Sequence, residues 1–255
     1  MTQNQLEQYF DRIGYTPSDE APEEILRKIH FMQATHIPFE NLDVYKGLGI
    51  SLKPEDVFNK LVVRRRGGYC FELNSMLAMA LRALGFKVKR VSARLAHNGA
   101  DFGGYAHCAA IVDAGTARYI ADVGYGGGGF VEPLRLEPGT VQELKCGTYR
   151  VIKDDKHGYI VQCMIDGEFR SYMAVHDVEA NEQDFEIGNY FTSTHPESGF
   201  RKMIMCTLPN ENGRVSITNE GVKITEKDKV TRIPLSSSEE FRGAFKKYLG
   251  VEIDW

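Results

Sequence analysis

Three side chains in this sequence could do nucleophilic chemistry together: a thiol, an imidazole and a carboxylate. Cys70 sits in the stretch RRRGGYCFELNSMLAMALRALGF, residues 64–86. Gly67-Gly68 breaks any regular element before it. After it, Leu73, Leu77, Ala80, Leu81 and Leu84 recur at helical spacing, and Gly85 stands where a helix stops. The thiol is thus expected in the first turn of a helix, downstream of Arg64, Arg65 and Arg66. Helix N-termini and nearby cations both favour thiolate. A cysteine opening a helix is as a rule inert packing, so chemistry requires a base within reach and a group that orients the base.

The stretch HCAAIVDAGTARYIAD, residues 107–122, supplies both. Two strand-like runs flank DAGT, which has the chemistry of a tight hairpin turn. Centring the turn between Ala114 and Gly115 sets His107 directly opposite Asp122, their Cβ atoms about 5 Å apart on one face of the sheet. A one-residue slip would spoil that match. Asp122 on one ring nitrogen would fix the tautomer and leave the other nitrogen for Cys70. His30, His36, His97, His157, His176 and His195 show no comparable partner. The glycine run DVGYGGGGF (122–130) follows directly and reads as a flexible loop, or as backbone able to approach a ligand closely. It is neither a dinucleotide fingerprint nor a Walker loop, so nucleotide hydrolysis is not expected.

The elements that must position these residues divide the chain in three. Leu6, Tyr9, Phe10 and Ile13 make one amphipathic helical face. Pro22, with Glu23 and Glu24 behind it, opens a second helix, and Pro54 opens a third through Val57, Phe58, Leu61 and Val62. With the helix after Cys70 these form a four-helix N-terminal unit. Strand patterns follow at KVKRVSARL, HCAAIV, RYIADVGY and TYRVIK…GYIVQCMIDGEFRSYMAV. After the polar segment NYFTSTHPESGF come RKMIMCTL, RVSITN, VKITE and VTRIPL, with turns at Asn212-Gly213 and Glu220-Gly221. A final helix carries capping-box patterns at Ser236/Glu239 and Ser237/Glu240. Helices first and strands afterwards make the fold class α+β rather than alternating βαβ.

Bulk properties narrow the chemistry. A net charge of −4 over 255 residues leaves no basic footprint for nucleic acid beyond the three arginines. The five cysteines are scattered with no CxxC pair, against a disulfide framework or a thiolate zinc site. No metal is expected. No apolar stretch follows a basic segment near the start and no apolar run approaches spanning length, so no membrane association and a cytoplasmic location are expected.

Six stretches resemble the arylamine N-acetyltransferase family in its own order: HIPFENLDV (36–44), RRGGYCFELN (65–74), YAHCAAIV (105–112), YIADVGYGG (119–127), TYRV (148–151) and NYFTSTHPESGF (189–200). The resemblance implies a helical bundle (1–85) carrying the nucleophile, an antiparallel β-barrel (86–195) carrying His and Asp, and an α/β lid (196–255), on a core shared with cysteine proteases and transglutaminases. It implies acetyl-CoA as donor, an aromatic amine or hydrazine as acceptor, and a ping-pong reaction in xenobiotic amine detoxification. By motif, Cys70 would be acetylated, His107 would be the base and Asp122 its orienting carboxylate. Phe39, Tyr69 and Phe130 would line the acceptor pocket. Gly103, Gly104, Gly126, Gly127 and Phe200 would contact coenzyme A, and Arg66 and Glu40 would pair. Tyr125 departs from the family's usual Phe. A monomer or homodimer is expected. The same three residues would serve a hydrolytic or cross-linking thiol enzyme, and a non-catalytic ligand-binding relative is the third alternative.

Overall fold

The structure is a computed structural model that describes residues 1–97, 101–227 and 229–254. Its first segment holds α1 (Gln3–Ile13), α2 (Pro22–His36), the two-residue β1 (Phe39–Glu40), the one-turn α3 (Leu42–Tyr45), α4 (Pro54–Phe58) and α5 (Cys70–Ala83). The four expected helices are present. α4 continues as a wider π-type turn over Asn59–Val63, which swings the chain into the loop before Cys70. Leu6, Tyr9, Phe10 and Ile13 are buried, as their spacing requires. α5 is apolar nearly all round and only Met79, Arg82 and Ala83 escape full burial, the pattern of a helix enclosed on every side.

The middle segment holds β2 (Lys87–His97), β3 (Asp101–Phe102), β4 (His107–Ala114), β5 (Ala117–Ala121), β6 (Leu134–Arg135), β7 (Val141–Leu144), β8 (Gly147–Asp154), β9 (Gly158–Ile165) and β10 (Glu168–Val175). Their order in the sheet is β6-β5-β4-β2-β10-β9-β8-β7, with β3 paired to β2. Every pairing is antiparallel. The two end strands nearly meet: the Gln142 side chain of β7 accepts from Arg135 N (2.8 Å) and donates to Arg135 O (2.9 Å) of β6. The result is an almost closed antiparallel barrel, which leaves little free strand edge. Opposite β9, β10 carries a bulge at Tyr172, and the Tyr172 ring stacks at 3.8 Å on Tyr125 inside the barrel.

The remaining elements are α6 (Glu182–Thr194), α7 (Gly199–Lys202), β11 (Met205–Asn210), β12 (Gly213–Thr218), β13 (Gly221–Glu226), β14 (Lys229–Pro234) and α8 (Ser238–Ala244). α6 runs through what reads in sequence as a polar connector. Its start is a capping box, with Asp184 N donating to Asn181 Oδ1 (3.1 Å) and Asn181 N to Asp184 Oδ2 (2.9 Å). Arg201 and Lys202 belong to α7, so the strand expected over RKMIMCTL begins only at Met205. α8 uses the Ser237/Glu240 box, and Ser236 also bonds Glu240 rather than Glu239.

The second sheet has the order β1-β11-β12-β13-β14. Its edge strand therefore comes from the first segment, with Phe39 opposite Thr207 and Glu40 opposite Cys206. α6 reaches back as well: a Cβ on Gly188 would sit 2.8 Å from the Phe71 ring of α5. Contacts of this kind cross both expected domain boundaries. They clamp the segment after α2 and the start of α5 from two sides.

Candidate active site

The loop into α5 has no room for side chains. A Cβ on Gly67 would lie 2.3 Å from Pro38 O, and one on Gly68 would lie 2.9 Å from Glu72 Oε2. The helix start is held by charge. Tyr69 N donates to Glu72 Oε2 (3.1 Å), and Glu72 Oε1 faces Lys60 Nζ at 2.8 Å. Lys60 also meets Asp43 (2.8 Å). Arg66 joins Asp43 (2.9 Å) and Glu40 (2.7 Å) in turn. This buried ladder fixes the loop that presents Cys70 to α3 and to the π-type turn after α4. Burial pushes the Glu72 carboxyl up, with Lys60 as the main opposing pull.

His107 opens β4 and Asp122 follows the last residue of β5. His107 Nε2 lies 2.7 Å from Asp122 Oδ2, and both side chains are buried. The Asp122 carboxyl is held below its ordinary range: burial would raise it, but His107, Asn74 and the Gly124 N–H outweigh that. An ionised carboxylate only accepts, so Nε2 carries the imidazole proton and Nδ1 is the free base.

The hairpin register differs from the sequence expectation. Ala114 pairs with Ala117 across a Gly115-Thr116 turn, and Ala110 pairs with Ala121. Gly115 takes φ +60 as the first turn residue, so the turn centres one residue later than expected. The shift preserves the face because opposed residues move by two. His107 and Asp122 are thus diagonal neighbours, joined by the reach of their side chains. The turns at 211–212 and 219–220 are displaced by one residue the other way, earlier than expected: Gly213 and Gly221 are the first ladder residues beyond them.

Cys70 is the first residue of α5, and its Sγ lies 4.0 Å from the carbonyl oxygen of Ala106, the residue before His107. Burial first, then Cys108 and Asp122, raises the thiol well above its ordinary range, and the Phe71 N–H is the main opposing influence. None of the three arginines is among the main influences on this thiol. Arg66 is spent on Glu40 and Asp43, Arg65 stands 3.8 Å from Asp11, and Arg64 is exposed. The thiolate stabilisation expected from those cations is thus not found among the main influences on the sulfur, and the Arg66 charge is taken up by carboxylates.

Asn74, one helical turn after Cys70, donates to Asp122 Oδ1 and to Cys108 O, both at 2.8 Å, and accepts from Val123 N (3.0 Å). Its place at i+4 from the nucleophile is the signal from which it could have been found. A Cβ on Gly124 would lie 2.6 Å from Cys70 Cα, so the glycine loop starts directly against the nucleophile's backbone. Beyond it opens a cavity of about 400 Å³ lined by Phe39, Tyr125, Gly126, Gly127, Phe130 and Arg214 among others. Asp122 reaches its wall; Cys70 and His107 are not among its lining residues.

The family model for N-acetyltransferases matches residues 24–255. This chain is 32% identical over 255 residues to the arylamine N-acetyltransferase of Mycolicibacterium smegmatis, covering 96% of this chain and 91% of that protein. The chain belongs to the arylamine N-acetyltransferase family. It is also 35% identical over 218 residues to the arylamine N-acetyltransferase / N-hydroxyarylamine O-acetyltransferase of Salmonella typhimurium, covering 84% of this chain and 76% of that one. The structure of Mycobacterium marinum arylamine N-acetyltransferase in complex with CoA superposes with a TM-score of 0.89 at 31% identity, covering 96% and 92% of the two chains.

Within this arylamine N-acetyltransferase scaffold the expected acceptor residues separate. Phe39 and Phe130 line the cavity. Tyr69 does not: it is fully buried, its hydroxyl donates to Asn189 Oδ1, and its ring lies edge-on to Phe200 (6.3 Å). Phe200 in turn packs 5.9 Å from Phe39, so Tyr69 and Phe200 back the wall that Phe39 fronts. Of the expected coenzyme A contacts, Gly126 and Gly127 line the cavity. Gly103 and Gly104 lie in the β3–β4 connection outside it, where Gly103 O accepts from Arg94 (2.7 Å). Among the described residues, no group of three or more His, Cys, Asp or Glu could hold a metal ion, and no helix is long and apolar enough to cross a membrane.

Proposed function

We propose that this enzyme moves an acetyl group from acetyl-CoA to an aromatic amine or hydrazine through an acetyl-Cys70 intermediate, with Cys70, His107 and Asp122 as its catalytic residues. The observation that carries this reading is the buried His107–Asp122 bond, which leaves a bare Nδ1 on the same sheet end as the start of α5. Coenzyme A comes from the Mycobacterium marinum complex. The cavity supports it, since Lys145, Arg214 and Lys227 line the same space as Gly126 and Gly127, as a polyanionic donor requires.

Nδ1 of His107 takes the Cys70 proton as sulfur attacks the acetyl carbonyl. Collapse of the tetrahedral adduct breaks the bond to the coenzyme A sulfur, which leaves with that proton. One thioester replaces another, so this half is near energetic balance. The amine nitrogen then attacks acetyl-Cys70 while Nδ1 accepts its proton. The Cys70 sulfur departs and recovers the proton from His107. Burial raises the thiol, and the bare Nδ1 of His107 is the base that takes its proton as attack proceeds. The acceptor ring lies against Phe39 and Phe130, with Tyr69 and Phe200 behind, a site suited to a flat amine uncharged at neutral pH. Detoxification of foreign amines in the cytoplasm is the role that such a pocket fits.

Initial rates measured over a grid of acetyl-CoA and arylamine concentrations test this. Parallel double-reciprocal lines, abolished by Cys70→Ala, are expected. Intersecting lines, or an unaffected Cys70→Ala enzyme, would refute it.

A further inference from the structure

His30 lies in the middle of α2, far from the catalytic residues in sequence, and is completely buried. Its ring has two partners. Nδ1 lies 3.0 Å from Val131 O, and Nε2 lies 3.1 Å from Asp122 N. A carbonyl only accepts and a backbone N–H only donates, so Nδ1 must carry the proton and Nε2 must be bare. The pair of bonds selects one neutral tautomer and excludes the imidazolium. Burial drives the same way, lowering this histidine to about 4 against the pull of Val131 O, Asp122 and Glu132.

Asp122 and Val131 are the two ends of the loop that contains Gly124 and Gly126 through Gly129. Such a run has little conformational preference of its own. Its tip is pinned where Arg214 donates to Gly127 O, and among the described residues the His30 ring is the one side chain bonded to both ends of its base. The ring also lies parallel to Phe130, centroids 6.0 Å apart at 14°.

We propose that His30 is a positioning residue for acetyl transfer: its imidazole staples the base of the 123–130 loop, setting Asp122 behind His107 at one end and Phe130 in the acceptor wall at the other. Neutrality is part of the role. A cation at position 30 would compete with His107 for the Asp122 charge, whereas the bare Nε2 takes only the backbone N–H and leaves the carboxylate to the catalytic base. The proposal rests on the acetyl-transfer reading for its purpose, but its geometry can be tested without acetyl-CoA.

The experiment is the rate of Cys70 alkylation by iodoacetamide against pH, followed by peptide mass spectrometry on wild type, His30→Phe and His30→Gln. Phe keeps the ring and its stacking but offers neither bond. It should slow alkylation at neutral pH by about tenfold and move the midpoint downward, because a His107 less well supported by Asp122 is a weaker base for the thiol proton. Gln, which retains a donor and an acceptor, should recover part of the loss. A folded His30→Phe protein with the wild-type rate and midpoint would overturn the proposal. Should that variant fail to fold, long-range ¹⁵N–¹H correlation of the wild-type histidines decides. The Nδ1–H neutral form of His30 is expected at neutral pH, and an Nε2–H form or an imidazolium would overturn it. Alkylation behaving as expected in all three proteins, with a wild type that transfers no acetyl group from acetyl-CoA, would instead count against the acetyl-transfer reading alone.

Discussion

His107 Nε2 meets Asp122 Oδ2 at 2.7 Å although no ladder pair places the two residues opposite one another. The bond spans a diagonal, and the carboxylate is aimed by other groups: Asn74 Nδ2 and Gly124 N both reach Asp122 Oδ1 at 2.8 Å. The dyad is therefore assembled by α5 and the glycine loop as much as by the hairpin that carries it.

Asp122→Asn should keep the shape and lose the tautomer. Oδ1 would still accept from Asn74 and Gly124, so the amide nitrogen would face His107 Nε2 and demand an acceptor there. The ring proton would move to Nδ1, which is the atom required as base. A fall of about 10³- to 10⁴-fold in kcat/KM is expected, with the circular dichroism spectrum and melting temperature close to wild type.

Gly124→Ala places a Cβ 2.6 Å from Cys70 Cα and 2.8 Å from Asn74 Nδ2. Backbone cannot yield as a flexible side chain can, so the loop must lift from α5. Destabilisation of about 1–3 kcal/mol is expected by denaturant titration, together with loss of activity in the folded fraction. The same substitution at Gly104, which has open space, should be nearly silent.

Lys60→Met removes the cation shared by Asp43 and Glu72, whose side chains are 14% and 3% exposed. Glu72 would be left in the interior without a cation while Asp43 keeps Arg66, at a cost of about 3–5 kcal/mol. Pairing it with Glu72→Gln should recover part of that cost, which a double-mutant cycle in urea measures.

Much of this arrangement was legible in the sequence, and the failures have physical reasons. The face of α1, the proline starts of α2 and α4 and the Cys70 helix follow from periodicity and caps, which are local. The ladder register hinged on which turn residue adopts positive φ; glycine marked the turn but not its position within it. α6 was obscured by its polar exterior, although Asn181 and Asp184 announced its cap. His30 left no trace because its partners are backbone groups, one of them 92 residues away. The arginines were misleading for the converse reason: the carboxylates facing Arg65 and Arg66 lie in other segments, and of these only the Arg66–Glu40 pair was expected, from the family resemblance.

Stability should fall in mild acid because of His30. Its folded value of about 4 lies below the ordinary 6.5, so between those values the unfolded chain binds a proton that the folded chain does not. Stability then rises with pH across that window and is lost as pH falls through it, by up to about 3 kcal/mol. Denaturant titrations at the two ends of the window should show this drop in wild type and a shallower one in His30→Gln.

Intact mass spectrometry of the enzyme mixed with acetyl-CoA, before and after adding an arylamine, tests the central claim most directly. One acetyl group should appear on Cys70 within the time of a turnover, vanish when the amine is added, and be recovered as the acetylated amine. An enzyme that acetylates the amine without ever carrying the group on Cys70, or that holds an acetyl-Cys70 which the amine cannot discharge, would contradict the account.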